Sequence, residues 1–272
     1  LIKQQFKYFQ SKNSYMNLGL KKKLFVVTGA TSGIGKSIAK ALVSEGASVI
    51  VNARGQEKLE EFKKHFPEQI EIHQGDITTD ATISGLINKI GNRSLDGIVV
   101  NAGGPPPKSF LNTNLSDWDN AYKSVLRWKI KLTQEFIPLF RKNNYGRFLF
   151  IESASVKQPI DNLILSTSLR LAVVGFVKTL SSEIAQNGIT LNIIAPGYHA
   201  TPRMEQLFKN RALLLGITPL EAKDDFEKEI LTGNMGDTDD LASLAAWLLS
   251  PQSRYITGQT ISVDGGLVKG TL

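Results

Sequence analysis

The chain has 272 residues, 42% hydrophobic and 21% charged, which suits one large α/β domain and excludes a disordered, collagen-like or coiled-coil chain. It contains no cysteine, and its three histidines, His65, His73 and His199, fall at no ligand spacing, so disulfides, thiolate nucleophiles, iron–sulfur clusters and metal centres are not expected. The formal charge is +7 and falls to +4 without residues 1–15; elsewhere lysines alternate with acids, as from Glu57 to Lys64, a solvated face rather than a nucleic-acid footprint.

Residues 1–15, LIKQQFKYFQSKNSY, have neither an apolar core nor a small-residue cleavage site, and read as an N-terminal extension rather than a secretory signal. Apolar runs such as Leu24 to Val27 and Gly97 to Val100 are far shorter than the roughly 20 residues of a spanning helix. A soluble cytoplasmic protein without a membrane partner is expected. From Leu24, short β-branched or apolar runs alternate with longer amphipathic stretches. The expected strands are Leu24–Thr28, Ser48–Asn52, Ile70–Gln74, Gly97–Asn101, Arg147–Glu152, Thr190–Ile194 and Thr260–Val263. Helices are expected over Ile34–Glu45, Gln56–His65, Ala81–Ile90, Asp117–Lys142, Ser166–Gln186 and Asp239–Leu249. Strands apolar on both faces, separated by helices, predict an α/β fold: a single Rossmann-type, doubly wound parallel sheet of about seven strands over residues 16–272. In Ser166–Gln186, Leu169, Val173, Phe176, Val177 and Leu180 recur at helical spacing and form a core or partner face. Between Thr201 and Gly233, alternating charge and Pro219 suggest helices joined by a turn, a possible lid over the site.

The first strand runs into Thr28-Gly29-Ala30-Thr31-Ser32-Gly33-Ile34-Gly35 and then a helix. A strand, glycine turn and helix N-terminus bring backbone N–H groups and the positive end of the helix dipole to a pyrophosphate. Such a turn after the first strand of a βαβ array predicts nucleotide binding at the carboxyl ends of the strands.

These segments together resemble the short-chain dehydrogenase/reductase family over residues 18–268. The glycine turn is similar to its TGxxxGxG signature, with Gly29, Thr31, Ser32, Gly33, Ile34 and Gly35 at the cofactor. Asn101-Ala102-Gly103 is similar to its NAG motif, Gly75-Asp76 with Ile77 to its adenine-contacting acid, and Pro196-Gly197 through Thr201 to its PG segment. The ending Thr257 to Gly266 looks like the family's last strand, and Met16-Asn-Leu-Gly-Leu-Lys its usual beginning. The second strand ends at Asn52-Ala53-Arg54, without the acid that would hold an adenosine ribose 2′-hydroxyl. Arg54 beside that place implies NADP(H) in preference to NAD(H), because a guanidinium pairs bidentately with a 2′-phosphate.

The resemblance also implies where catalysis belongs, and there the sequence departs from the family. A serine is present at Ser153, but the tyrosine position holds Ser166, the lysine position Arg170 and the asparagine position Val125. A serine hydroxyl is far less acidic than a phenol, and an arginine does not release its proton. Arg170 retains the ability to hold a ribose, a substrate anion or a developing oxyanion. Tyr198 and His199 follow Pro196-Gly197; His199 has the intrinsic pKa of a general acid, although a lone loop histidine is more often a surface group. Gly104-Pro105-Pro106-Pro107 stiffens the opposite rim. The divergent branch resembled, related to β-ketoacyl carrier-protein reductases, implies an NADP(H)-dependent oxidoreductase acting on a small-molecule carbonyl or alcohol substrate, with Ser153, Ser166 and Arg170 near the reacting oxygen. The rival reading is a non-catalytic NADP(H)-binding sensor or subunit partner. The helix pair over Asp117–Lys142 and Ser166–Gln186 implies a homodimer or homotetramer.

Overall fold

The computed structural model describes residues 17–271, so the extension expected over residues 1–15 lies outside it. The apolar runs become β1 (Leu24–Thr28), β2 (Ser48–Ala53), β3 (Ile70–Gln74), β4 (Gly97–Val100), β5 (Gly146–Ile151), β6 (Ile189–Pro196) and β7 (Thr260–Val263). They form one all-parallel sheet in the order β3-β2-β1-β4-β5-β6-β7. The strand order reverses between β1 and β4, which opens a crevice at their carboxyl ends.

The helices are α1 (Gly33–Ser44), α2 (Gln56–His65), α3 (Asp80–Ile90), α4 (Leu115–Ala121), α5 (Trp128–Asn143), α6 (Ile164–Ile184), α7 (Pro202–Leu215), α8 (Pro219–Lys228) and α9 (Thr238–Leu249). Alternate residues of each strand point to opposite faces. Val27, Val51 and Ile194 therefore meet Ile38, Leu42 and Ala245 of α1 and α9 on one side. On the other, Val26, Ile98 and Phe150 meet Leu86, Trp128, Phe136, Val173 and Val177 of α3, α5 and α6.

Three expectations are corrected. The helix expected without a break over Asp117–Lys142 is interrupted by a π-helical turn, Tyr122–Arg127. Within it the Ser124 carbonyl accepts from the Trp128 indole (2.9 Å) and the Ser124 hydroxyl donates to the Asn120 carbonyl (2.9 Å), side-chain partners that accompany the altered backbone ladder. The strand expected to end at Asn101 ends at Val100, because the Asn101 N–H is taken by Thr28 Oγ1 at 2.8 Å. Finally, residues Ile164–Asn187 form a helix of mean hydropathy 1.4, long and apolar enough to cross a membrane by length and composition. Its charged residues are spaced so that no uninterrupted run reveals this; in the fold, Val173 and Val177 of this helix pack in the core.

Thr201 to Gly233 holds α7 and α8, each opened by a capping threonine, Thr201 or Thr218, and a proline at the first helical position. Proline suits that position, whose N–H has no intrahelical partner. Met204, Phe208, Ala212 and Ala222 form a small core of their own between these helices.

Candidate active site

A cleft of about 1470 Å³ lies along the carboxyl ends of the strands, walled on one side by α7 and α8. At one end the glycine turn crosses the mouth of β1. Gly29 has φ +61°, and a Cβ there would sit 2.9 Å from both the Asn101 side-chain nitrogen and carbonyl oxygen. At Gly35 a Cβ would lie 2.3 Å from the Gly29 carbonyl oxygen, so only hydrogen fits. Thr28 Oγ1 donates to the Asn101 carbonyl at 2.7 Å and thereby clamps the two motifs together.

The structure brings Gly29, Thr31, Ser32, Gly33, Ile34, Arg54, Asp76, Ile77, Asn101, Ala102, Gly103, Pro196, Gly197 and Thr201 to the cleft lining. Gly35 does not line it; it lies buried beneath the turn and lets the turn close. The first turn of α1 has no acidic side chain, and the Ser32 hydroxyl makes no cap bond. Both features leave the positive helix end open to an anion. Arg54 is exposed, and no carboxylate lies within ion-pair distance of it among the described residues. Asp76 is not the cap of α3, which is Thr79. Its Oδ1 accepts from the Thr78 backbone (3.0 Å) and hydroxyl (2.8 Å), which fixes the carboxylate at the cleft.

At the other end, Ser153, Ser166 and Arg170 all reach the lining. Ser166 and Arg170 are one turn apart on α6 and therefore share a face. Arg170 Nε donates to Ser166 Oγ at 3.1 Å, while Nη1 donates to Glu152 Oε2 at 2.8 Å. Its remaining amino nitrogen lies beneath Gly104, where a Cβ would approach it to 3.2 Å. Ser153 Oγ accepts from the Ser155 N–H at 3.2 Å, which leaves its own proton free to donate. Val125, expected from the resemblance at the asparagine position, is buried in the π-helical turn.

Sequence reasoning missed two residues of this cluster. Glu152 directly follows β5, and its side chain is fully buried between Arg170 and Lys129 of α5, with which Oε1 makes a second ion pair. Burial pulls the Lys129 ammonium down from 10.5 to about 8; Glu152 opposes that fall and Arg170 adds to it. Two cations on one carboxylate leave a net positive charge beneath the cleft floor. The available signals were an acid directly after the apolar run Phe148–Ile151 and a lysine one helical turn beyond Val125, among core positions.

Tyr198 and His199 both line the cleft, and each is engaged by the protein. The Tyr198 hydroxyl donates to Glu229 Oε2 at 3.2 Å, and burial with the nearby carboxylate raises its pKa well above the usual phenol range. His199 is not the surface group expected of a lone loop histidine. It is 3% exposed, burial lowers its pKa, and Nδ1 donates to the Gly197 carbonyl at 3.3 Å. Its ring packs against Gly236, where a Cβ would lie 2.9 Å away, so the ring is held in place by the scaffold.

The sheet order, the glycine turn at the switch point and the cleft above it define a Rossmann-type α/β protein. Residues 29–268 match the family model described as enoyl-(acyl carrier protein) reductase, and the chain belongs to the short-chain dehydrogenase/reductase family. It is 30% identical over 257 residues to the NADPH-dependent reductase BacG of Bacillus subtilis (strain 168), covering 92% of this chain and 99% of that protein. It is also 30% identical over 243 residues to the 3-oxoacyl-(acyl-carrier-protein) reductase FabG of Rickettsia bellii (strain RML369-C), covering 89% and 95%. Among solved structures, a variant of actinorhodin polyketide ketoreductase with NADPH superposes with a TM-score of 0.87 at 28% identity, covering 92% of this chain and 98% of that one.

Proposed function

We propose that this chain is an NADP(H)-dependent oxidoreductase that interconverts a small-molecule carbonyl and its alcohol, handling the proton without the tyrosine–lysine pair of its family. The observation that carries the reading is Arg170, held by Glu152 and Ser166 so that its free edge faces the same cleft as the glycine turn. The cradle of Gly29 and Gly35 and the unobstructed start of α1 fit a pyrophosphate. Asp76 fits the adenine end, and Arg54, free of acids, fits a 2′-phosphate. Asn101, Ala102, Gly103, Pro196, Gly197 and Thr201 fit the length of the dinucleotide between these points and the catalytic end.

When bound, the nicotinamide supplies or takes up the hydride. The residues of this chain act on the oxygen. Ser166 Oγ already accepts from Arg170 Nε, so its O–H is left to donate toward the cleft, as is that of Ser153. Two hydroxyls and a guanidinium edge then stabilise negative charge as it develops on the substrate oxygen, and solvent completes the protonation. The buried positive charge of the Lys129–Glu152–Arg170 cluster adds to that stabilisation, since a low dielectric strengthens it.

One observation favours a second reading, a cofactor-binding sensor or subunit partner without turnover. The two residues nearest a general acid, Tyr198 and His199, are tied to Glu229 and Gly197. Either function suits a homodimer or homotetramer formed through the helix pair α5 and α6, where Leu171 is 45% exposed; light scattering of the purified protein reads the state.

The test follows nucleotide fluorescence during titration with NADPH and NADH, then NADPH oxidation against a panel of ketones and aldehydes. Arg54→Ala is expected to weaken NADPH about tenfold while sparing NADH, the worth of one charge-assisted contact. Arg170→Ala is expected to lower kcat by roughly a hundredfold with NADPH affinity retained. Binding without turnover on any carbonyl selects the sensor reading, and failure to bind either nucleotide overturns both.

A further inference from the structure

We infer that the α7–α8 wall selects a substrate carrying an oxyanion on an apolar body, and that Arg211, assisted by Arg203, is the residue that holds the anion. This rests on the proposal that the cleft takes a carbonyl substrate, and it names the class. Arg203, Leu207 and Arg211 follow one another at four-residue spacing along α7, so they form one stripe, and all three line the cleft. Met204 and Phe226 fill the wall between and beside them.

Arg211 is held and yet unspent. Its guanidinium carbon lies 5.0 Å from the centroid of the Phe226 ring. Phe226 is itself braced by Tyr198 and Phe208, at centroid distances of 4.9 and 5.5 Å. Stacking on a ring face leaves the in-plane N–H groups of a guanidinium pointing outward, the geometry for a bidentate carboxylate or phosphate. Arg211 Nε is buried without a hydrogen-bond partner among the described residues, so the two terminal amino groups of the guanidinium are the edge left for an anion in the cleft.

No carboxylate lies within 4.0 Å of either arginine among the described residues. Glu229, the acid on the same wall, accepts from the Tyr198 hydroxyl instead. Arg203 makes a single long contact, 3.5 Å to the Pro105 carbonyl across the mouth. Arg170 is engaged by Glu152 and Ser166 at the base, so the wall supplies a second, separate cationic site. A carboxylate and a phosphate share the required chemistry.

The experiment titrates the full chain, loaded with NADPH, with octanoate, octyl phosphate and 1-octanol in a calorimeter. Octanoate or octyl phosphate is expected to bind at least about tenfold more tightly than octanol, and the tighter of the two identifies the anion. Arg211→Leu is expected to remove this preference while NADPH affinity stays within about twofold. Arg211→Lys, which keeps the stem and charge but not the fork, retains part of it. Arg203→Gln lowers it in part without touching Phe226, and serves as the reading should the leucine variant not fold. Equal binding of octanol, an unchanged preference in both the lysine and glutamine variants, or a loss confined to NADPH overturns the assignment. Should NADPH fail to bind the wild-type chain, the proposed function falls, whereas the anion titration is then read on the protein alone.

Discussion

Replacing Glu152 by glutamine removes one negative charge from a site where it serves two buried cations. The side chains of Lys129 and Arg170 are 3% and 9% exposed, so water cannot take over. Breaking a buried ion pair from one side costs about 3–5 kcal/mol, because the stranded charge keeps its desolvation penalty. Lys129 provides a release. With its ammonium already near 8 and the upward pull of Glu152 gone, it deprotonates at neutral pH and holds the loss near the lower bound, about 3 kcal/mol. For a chain of this size that lowers the melting midpoint by roughly 6–12 °C. Thermal and urea unfolding of Glu152→Gln, Lys129→Met and the double variant measure it. Lys129→Met by itself leaves Arg170 and Glu152 as a one-to-one pair, and in the double variant no buried lysine has to give up its proton, so it is expected to be more stable than the summed single losses by about 1 kcal/mol or more. A Glu152→Gln loss under about 1 kcal/mol, or strict additivity, refutes the view that one carboxylate balances both cations.

The same lysine makes stability depend on pH. Its folded pKa of about 8 lies below the 10.5 of the unfolded chain, so the unfolded state holds more protons between those values. The burial penalty is thus fully present below pH 8 and is relieved as pH rises toward 10.5, by about 3 kcal/mol; subtracting the profile of Lys129→Met isolates it, and an identical slope in both proteins disproves it. At Gly35 an alanine Cβ would meet the Gly29 carbonyl oxygen at 2.3 Å. Gly35→Ala is expected to force the turn open and weaken NADPH at least about tenfold, as fluorescence titration reads; unaltered affinity would show that the turn does not set the pocket.

The sheet was legible because doubly covered parallel strands leave near-continuous apolar runs, and all seven expected strands form, with ends shifted by a residue or two. The glycine turn was legible for a related reason: its close approaches depend on the absence of side chains at Gly29 and Gly35, and glycine spacing records that. The helix break at Tyr122–Arg127 was not, since no proline or glycine marks it and its side-chain partners, Trp128 and Asn120, are ordinary helix residues. His199 resembled a loop residue until the bridge to Gly236 brought a second segment over it. Residue identity and local periodicity therefore determined the element types, the glycine turn after the first strand and the presence of serine and arginine at positions 166 and 170. Only the tertiary structure decided that Lys129 and Arg170, from two helices, share the buried carboxylate of Glu152 just after β5, and that Arg211 lies over Phe226 with no acid within ion-pair distance. Charge pairing acts through space across a few ångströms, and the chain order carries no measure of that distance.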